Sequence, residues 1–341
     1  DSAVLQMISA DEYQAYGMTL INFAEKLSSF SSPVAVGMSG NFRQMKRRIL
    51  NIAIFRKETL YQKMRALIIY LVISAVFIGC TPILSIDAST QSVYHFSDTD
   101  KNISLLDISE TFGTYDGSFV LYDNNLDSWK IYDLEEATKR IPPESTYKIY
   151  DALLGLESGI ITPEHSSMTW NGDAFPFPSW EADQDLNSAM QNSVNWYFQA
   201  IDSQLGINRV QEFLNKIEYG NQTTSSNLDL YWSDFSLKIS PLEQVTLLKK
   251  FNTNEFHLNS QNVFSVKNAI KIASTPNGNF YGKTGTGRVN GQDINGWFIG
   301  YVETSDNSYY FATNIQSDSN ATGKKAFEIT SDILKKLHIW N

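Results

Sequence analysis

The stretch PPESTYKIYDALLGLESGII, residues 142–161, carries a serine three residues ahead of a lysine where a helical pattern begins. Positions i and i+3 share one helical face, with Cβ atoms about 5–6 Å apart, so Ser145 and Lys148 lie within reach of each other. A serine hydroxyl is a poor nucleophile until a base takes its proton, and an uncharged lysine amine can be that base. The helix start adds free backbone N–H groups and a dipole that favours negative charge developing there. A lone Ser-x-x-Lys arises by chance in most chains of this size, so its weight depends on partners. QNSVNWYF places Ser193 and Asn195 two apart in a second helical stretch. If that stretch lines the same pocket, Ser193 can relay a proton between the nucleophile and a leaving nitrogen. YGKTGTG sets Lys283, Thr284, Gly285 and Thr286 just before a strand pattern. Small residues there let an edge strand approach a ligand, and Lys283 can attract an anion.

Each motif has an ordinary reading: a capping serine, an asparagine bonded to helix backbone, a surface turn. Three in this order with wide gaps match the serine β-lactamase and penicillin-binding pattern SxxK, SxN and KTG.

The elements that must hold these residues are also legible. GSFVLYDNNLDSWKIYD (117–133) reads as two strands around an Asp-Asn-Asn turn, and NGWFIGYVETSDNSYYFATNI (295–315) as another hairpin. A helical middle spans roughly 145–270, with a helix from Ser145 that Gly159 can end, and 322–338 is a closing helix. Strands at both ends with helices between predict an α/β (α+β) domain, an antiparallel sheet flanked by helices over 115–341.

Upstream, residues 66–84 (ALIIYLVISAVFIGCTPIL) carry no charge. At ~1.5 Å per residue they reach about 29 Å, enough to cross a hydrocarbon core, and a transmembrane helix is expected over 66–86. Residues 1–65 hold nine Lys/Arg against five Asp/Glu, and the remainder 18 against 32. Basic residues on the N-terminal flank predict a cell-membrane protein with 1–65 cytoplasmic and 87–341 extracellular. A buried core helix is the bland alternative. A lipoprotein signal from Met64 with Cys80 in FIGC is a sharper one. Helical periodicity covers 1–27, SSFSSPVAVGMSGN (28–41) reads as a loop open to proteolysis, 42–65 as a basic juxtamembrane helix and 87–114 as a polar connector. The acidic remainder argues against direct nucleic-acid binding. The four histidines are scattered and the single cysteine has no partner, so no metal site is expected within the chain.

Residues 115–341 resemble class D serine β-lactamases: STYK, SVN, YGN (219–221), KTGTG, NGWFIGYVE and WNGDAFPFPSWEADQDLNSAMQNSVNWYFQ match that family. Joined to one span and a cytoplasmic segment, this resembles the β-lactam sensor-transducers of Gram-positive bacteria, the penicillinase and methicillin-resistance regulatory receptors. The resemblance implies that Ser145 is acylated by β-lactam antibiotics, Lys148 is the base and is N-carboxylated by carbon dioxide, and Ser193 shuttles the proton. It implies further that Lys283, Thr284 and Thr286 hold the substrate carboxylate, and that the N–H groups of Ser145 and Thr286 form the oxyanion hole. Trp232 is expected near the lysine. Residues 1–65 look like the downstream part of a zinc metalloprotease domain whose metal motif lies outside this chain. The lipid bilayer and a transcriptional repressor are the implied partners, with induction of resistance genes the output, and a homodimer stays open. Where the enzymes carry Val, this chain has Asn195, which is expected to destabilise a carboxylated Lys148 after acylation and strand the adduct. Rival readings are a membrane-tethered class D β-lactamase, a penicillin-binding peptidase, and an adhesin reusing the fold.

Overall fold

Alternation of large apolar side chains builds the centre of the molecule. In FVLY of 119–122, Val120 and Tyr122 join one buried cluster and Phe119 and Leu121 a second, so this strand is covered on both faces. The computed structural model describes residues 1–28, 49–53, 55, 92–97, 101–225, 227–229 and 231–340. All of the expected loop 28–41 but Ser28, most of the basic stretch 42–65 and the expected span 66–86 lie outside the described residues. Among the described residues no helix is long and apolar enough to cross a membrane. The chain divides into two compact units, Asp1–Leu84 and Ser85–Asn341.

In the first unit, the helix expected over 1–27 is two helices, α1 (Ser2–Met7) and α2 (Tyr13–Ser28). Ser9 and Glu12 close a capping box between them, which satisfies the free N–H groups of a new helix start and breaks the first run. Leu5 and Ile52 are buried there, and Tyr13 meets Phe55 edge-on at 5.6 Å.

The second unit runs β1 (Asn102–Leu105), α3 (Ser109–Phe112), β2 (Asp116–Asp123), β3 (Ser128–Tyr132) and α4 (Leu134–Thr138). The helical middle follows as α5 (Lys148–Glu157), α6 (Leu186–Gln191), α7 (Asn195–Leu205), α8 (Ile207–Ile217), α9 (Pro241–Asn252) and α10 (Ser260–Ala269). Then come β4 (Lys271–Thr275), β5 (Gly278–Val289), β6 (Gln292–Thr304), β7 (Ser308–Gln316) and α11 (Gly323–Lys336).

The seven strands form one sheet in the order β1-β3-β2-β7-β6-β5-β4. The two expected hairpins are present, and the first pairs with the last: Asp116 is in register with Gln316. The expectation of an antiparallel sheet needs correction. The sheet is mixed, because β1 runs parallel to β3, Asn102 opposite Ser128 and Leu105 opposite Ile131. A parallel neighbour needs a crossover, which α3 and β2 supply. β1 comes from the stretch read as a polar connector, so part of that connector belongs to the sheet.

One sheet face packs against the helical middle. The other is covered by α11, through Ala326, Ile329, Ile333 and Leu334. α5 is the central helix, buried at nine of its ten positions. A Cβ at Gly155 would lie 3.0 Å from Ile201, so the glycine sets how closely α5 and α7 pack.

Candidate active site

Ser145 does not begin an α-helix. It lies in a 3-10 turn, Glu144–Tyr147, and α5 starts at Lys148. The cause is local: Pro142 and Pro143 offer no N–H donors, Glu144 is left-handed at φ 53°, and Thr146 Oγ1 donates to the Pro143 carbonyl at 2.6 Å. Trp297 Nε1 and Asn295 Nδ2 both donate to the Pro142 carbonyl, at 2.8 and 3.1 Å, pinning the turn to β6. Glu144 N donates to the Trp232 carbonyl at 3.1 Å. Ser145 is thereby the one partly exposed residue in an otherwise buried run, 142–150.

Lys148 has no exposed surface. Its Nζ donates to Asn195 Oδ1 at 2.7 Å and stands 3.1 Å from Ser145 Oγ, with the rings of Trp232 and Phe198 at 5.2 and 5.5 Å. Burial brings the amine down to about 8, against the pull of Asp151, Glu144 and Asp202. The lowering enlarges the uncharged fraction near neutral pH, and the uncharged amine is the form a base for Ser145 requires. Trp232 is buried beside the lysine, as the family resemblance implies.

Ser193 is not helical either. It takes a left-handed turn at φ 53° between α6 and α7, and Asn195 is the first residue of α7. That kink turns the serine hydroxyl toward β5, where Lys283 Nζ donates to it and, at 2.9 Å, to the Thr284 carbonyl. Burial, and then the charge of Lys148, hold the Lys283 amine well below its ordinary value. KTGTG lies within β5 rather than ahead of it, and the sheet edge is β4.

Ser145, Ser193, Asn195, Thr284 and Thr286 line one cavity of 450 Å³. Lys148 and Lys283 stand directly behind its hydroxyls. Phe177 and Trp180 form one wall, and Arg288, paired with Asp293 at 2.7 Å, lies at the other side. Two glycines bring β5 onto the nucleophile turn. A Cβ at Gly285 would sit 3.2 Å from Ser145 N, and one at Gly287 2.4 Å from Glu144 Oε1. Thr286 lies between them, and its Oγ1 accepts from Gly323 N at 2.8 Å. All seven residues named from sequence therefore meet at one place. Sequence reasoning missed Glu144, whose buried carboxyl is raised to about 8 by burial and accepts from Asn295 Nδ2 at 3.2 Å. It also missed Asp151 and Asp202; all three are buried acids in stretches read only for their motifs or periodicity.

Residues 114–335 match the family model of the penicillin binding protein transpeptidase domain. The regulatory protein BlaR1 of Bacillus licheniformis is 41% identical over 100% of this chain and 57% of its own length, so the chain spans little more than half of that relative. The solved C-terminal domain of the Bacillus licheniformis BlaR penicillin-receptor is 45% identical, covering 71% of this chain and 99% of that one with a TM-score of 0.69. The class D β-lactamase BAT-2 is 36% identical, covering 69% and 97%, with a TM-score of 0.65. The turn that presents Ser145 to Lys148, the Ser193–Lys283 bond and these likenesses lead to one assignment: the chain belongs to the penicillin-binding transpeptidase family, where its homologues are the BlaR1 and MecR1 regulatory proteins.

Proposed function

We propose that this chain is the drug-capturing part of a β-lactam receptor in which Ser145 is acylated and deacylation is too slow to regenerate it. The observation that carries the reading is the position of Lys148 Nζ, within hydrogen-bond distance of both Ser145 Oγ and Asn195 Oδ1. In its uncharged form the amine takes the hydroxyl proton as Oγ bonds to the lactam carbonyl carbon. Ser193, bonded to Lys283, passes a proton to the lactam nitrogen as the C–N bond breaks. The backbone N–H groups of Ser145 and Thr286 stabilise the oxyanion. Thr284, Thr286 and Lys283 hold the substrate carboxylate.

A carbamate on Lys148 would supply a base that stays unprotonated and negatively charged near neutral pH, where much of the amine carries a proton. A buried amine brought down to about 8 by burial, with an aromatic cover, fits that group. Asn195 sets the limit: its Oδ1 takes a hydrogen from the amine, and that bond favours the uncarboxylated form once Ser145 is blocked. The captured state is then relayed through a membrane span to a cytoplasmic zinc protease that acts on a transcriptional repressor, inducing resistance genes.

The test is direct. Purified protein is mixed with a chromogenic cephalosporin, and both product and intact mass are followed. One equivalent of product with a lasting mass adduct is expected, and Ser145→Ala should give neither. Sustained turnover would instead make the chain a hydrolase, and an unaltered mass would remove the reading altogether.

A further inference from the structure

Beneath the Lys148 amine are two carboxyls with no part in the chemistry above. Asp151 follows Lys148 by one turn on α5, Asp202 lies on α7, and neither has any exposed surface. Apart from each other, Asp151 and Asp202 Oδ2 find no hydrogen-bond partner among the described residues. Asp202 Oδ1 accepts from the Tyr231 hydroxyl at 3.4 Å. A buried carboxylate with no partner is strongly disfavoured, so such groups keep their protons. Burial, then the charge of Asp202, holds Asp151 well above the usual carboxylate range, and burial raises Asp202 to about 8 against the hydrogen bond from Tyr231. The remaining groups that face the cluster are few. Glu144 lies on the turn before α5, Lys283 on β5, and the Tyr147, Tyr197 and Tyr231 phenols are held neutral chiefly by burial. Asp229 adds a weaker charge effect at Asp202.

We propose that Asp151 and Asp202 form an internal proton store that returns a proton to Lys148 once Ser145 is acylated, spending the base that deacylation needs. This rests on the receptor reading of Ser145. Before capture, the uncharged amine accepts the Ser145 O–H and donates to Asn195. Afterwards Oγ is an ester oxygen with no hydrogen to give, so the amine's lone pair has lost its donor. An ammonium has no such deficit, because all it does is donate. The proton taken from Ser145 has by then gone to the lactam nitrogen through Ser193, leaving Lys148 neutral. One carboxyl of the pair now gives its proton to the amine. The products are an ammonium and a pair holding one proton and one negative charge, so no proton enters or leaves. A buried water is the ordinary bridge between unpartnered polar atoms of this kind.

Asp151→Asn and Asp202→Asn, singly and together in the whole chain, test the store while keeping its shape. In the double variant the adduct half-life should fall about tenfold, the effect of one pKa unit, while the pH profile for acylation stays where it is, because neutral amides replace neutral acids. An adduct as long-lived as that of the unaltered protein overturns the proposal. If the unaltered protein forms no adduct, it is the receptor reading that fails. A second measurement needs no variant: infrared difference spectra on acylation should show loss of a carboxylic-acid carbonyl band, and an unchanged band also overturns the store.

Discussion

At the residue scale, two side chains give separate predictions, Asn195 for the chemistry at Ser145 and Glu144 for stability. Asn195 spends its Oδ1 on the Lys148 amine at 2.7 Å. Asn195→Val removes that acceptor and leaves the amine in an apolar surround, which favours carboxylation. The adduct half-life, followed by intact mass, should shorten at least ~10-fold, an effect of ~1.4 kcal/mol on the barrier. Glu144 makes a separate prediction about stability. Its carboxyl is raised to about 8 in the folded protein from an ordinary 4.5. The folded state therefore holds a proton that the unfolded state has released across that interval, and stability falls as pH rises through it. Asp202 and Asp151 act in the same direction. Glu144→Gln removes one such group, so thermal melts should show its Tm advantage over the unaltered protein widening from pH ~5 to pH ~8. A constant difference would mean that the carboxyl is not neutral in the fold.

At the element scale, the site depends on how closely α11 and the nucleophile turn approach β5. A Cβ at Gly323 would fall 2.7 Å from the Gly285 carbonyl oxygen and 2.9 Å from Thr284 Cβ, both rigidly held. Gly323→Ala should therefore cost ~1–3 kcal/mol in stability, read by urea unfolding. It should also slow acylation by displacing Thr284 and Thr286. Which elements were legible follows from the same physics. The hairpins at 117–133 and 295–315 were readable because alternating aromatics and β-branched residues signal strands directly. The helix over 322–338 was readable from its apolar spacing. β1 was not: NISL is short and mostly exposed, so it lacks the alternation that burial imposes. The Ser145 and Ser193 turns were read as helix because the left-handed φ of Glu144 and of Ser193 itself is imposed by tertiary contacts. The motif residues themselves were found because their chemistry restricts their types. The buried acids beside them follow no spacing rule, and only folding reveals them.

At the scale of the whole molecule, Ser85–Asn341 carries its own sheet, helices and complete constellation. A protein limited to 85–341 should melt cooperatively and capture one equivalent of a β-lactam at the same rate as the longer chain. A markedly slower capture would show that the first unit shapes the pocket. The pairing of β2 with β7 has a further consequence, for the order of events in time. Asp116 is hydrogen-bonded alongside Gln316, so the earliest long strand of the sheet waits for the last one to be made. Contacts so distant in sequence form slowly. A nascent copy that already displays STYK, SVN and KTGTG therefore has no complete sheet to hold them together until β7 has been made.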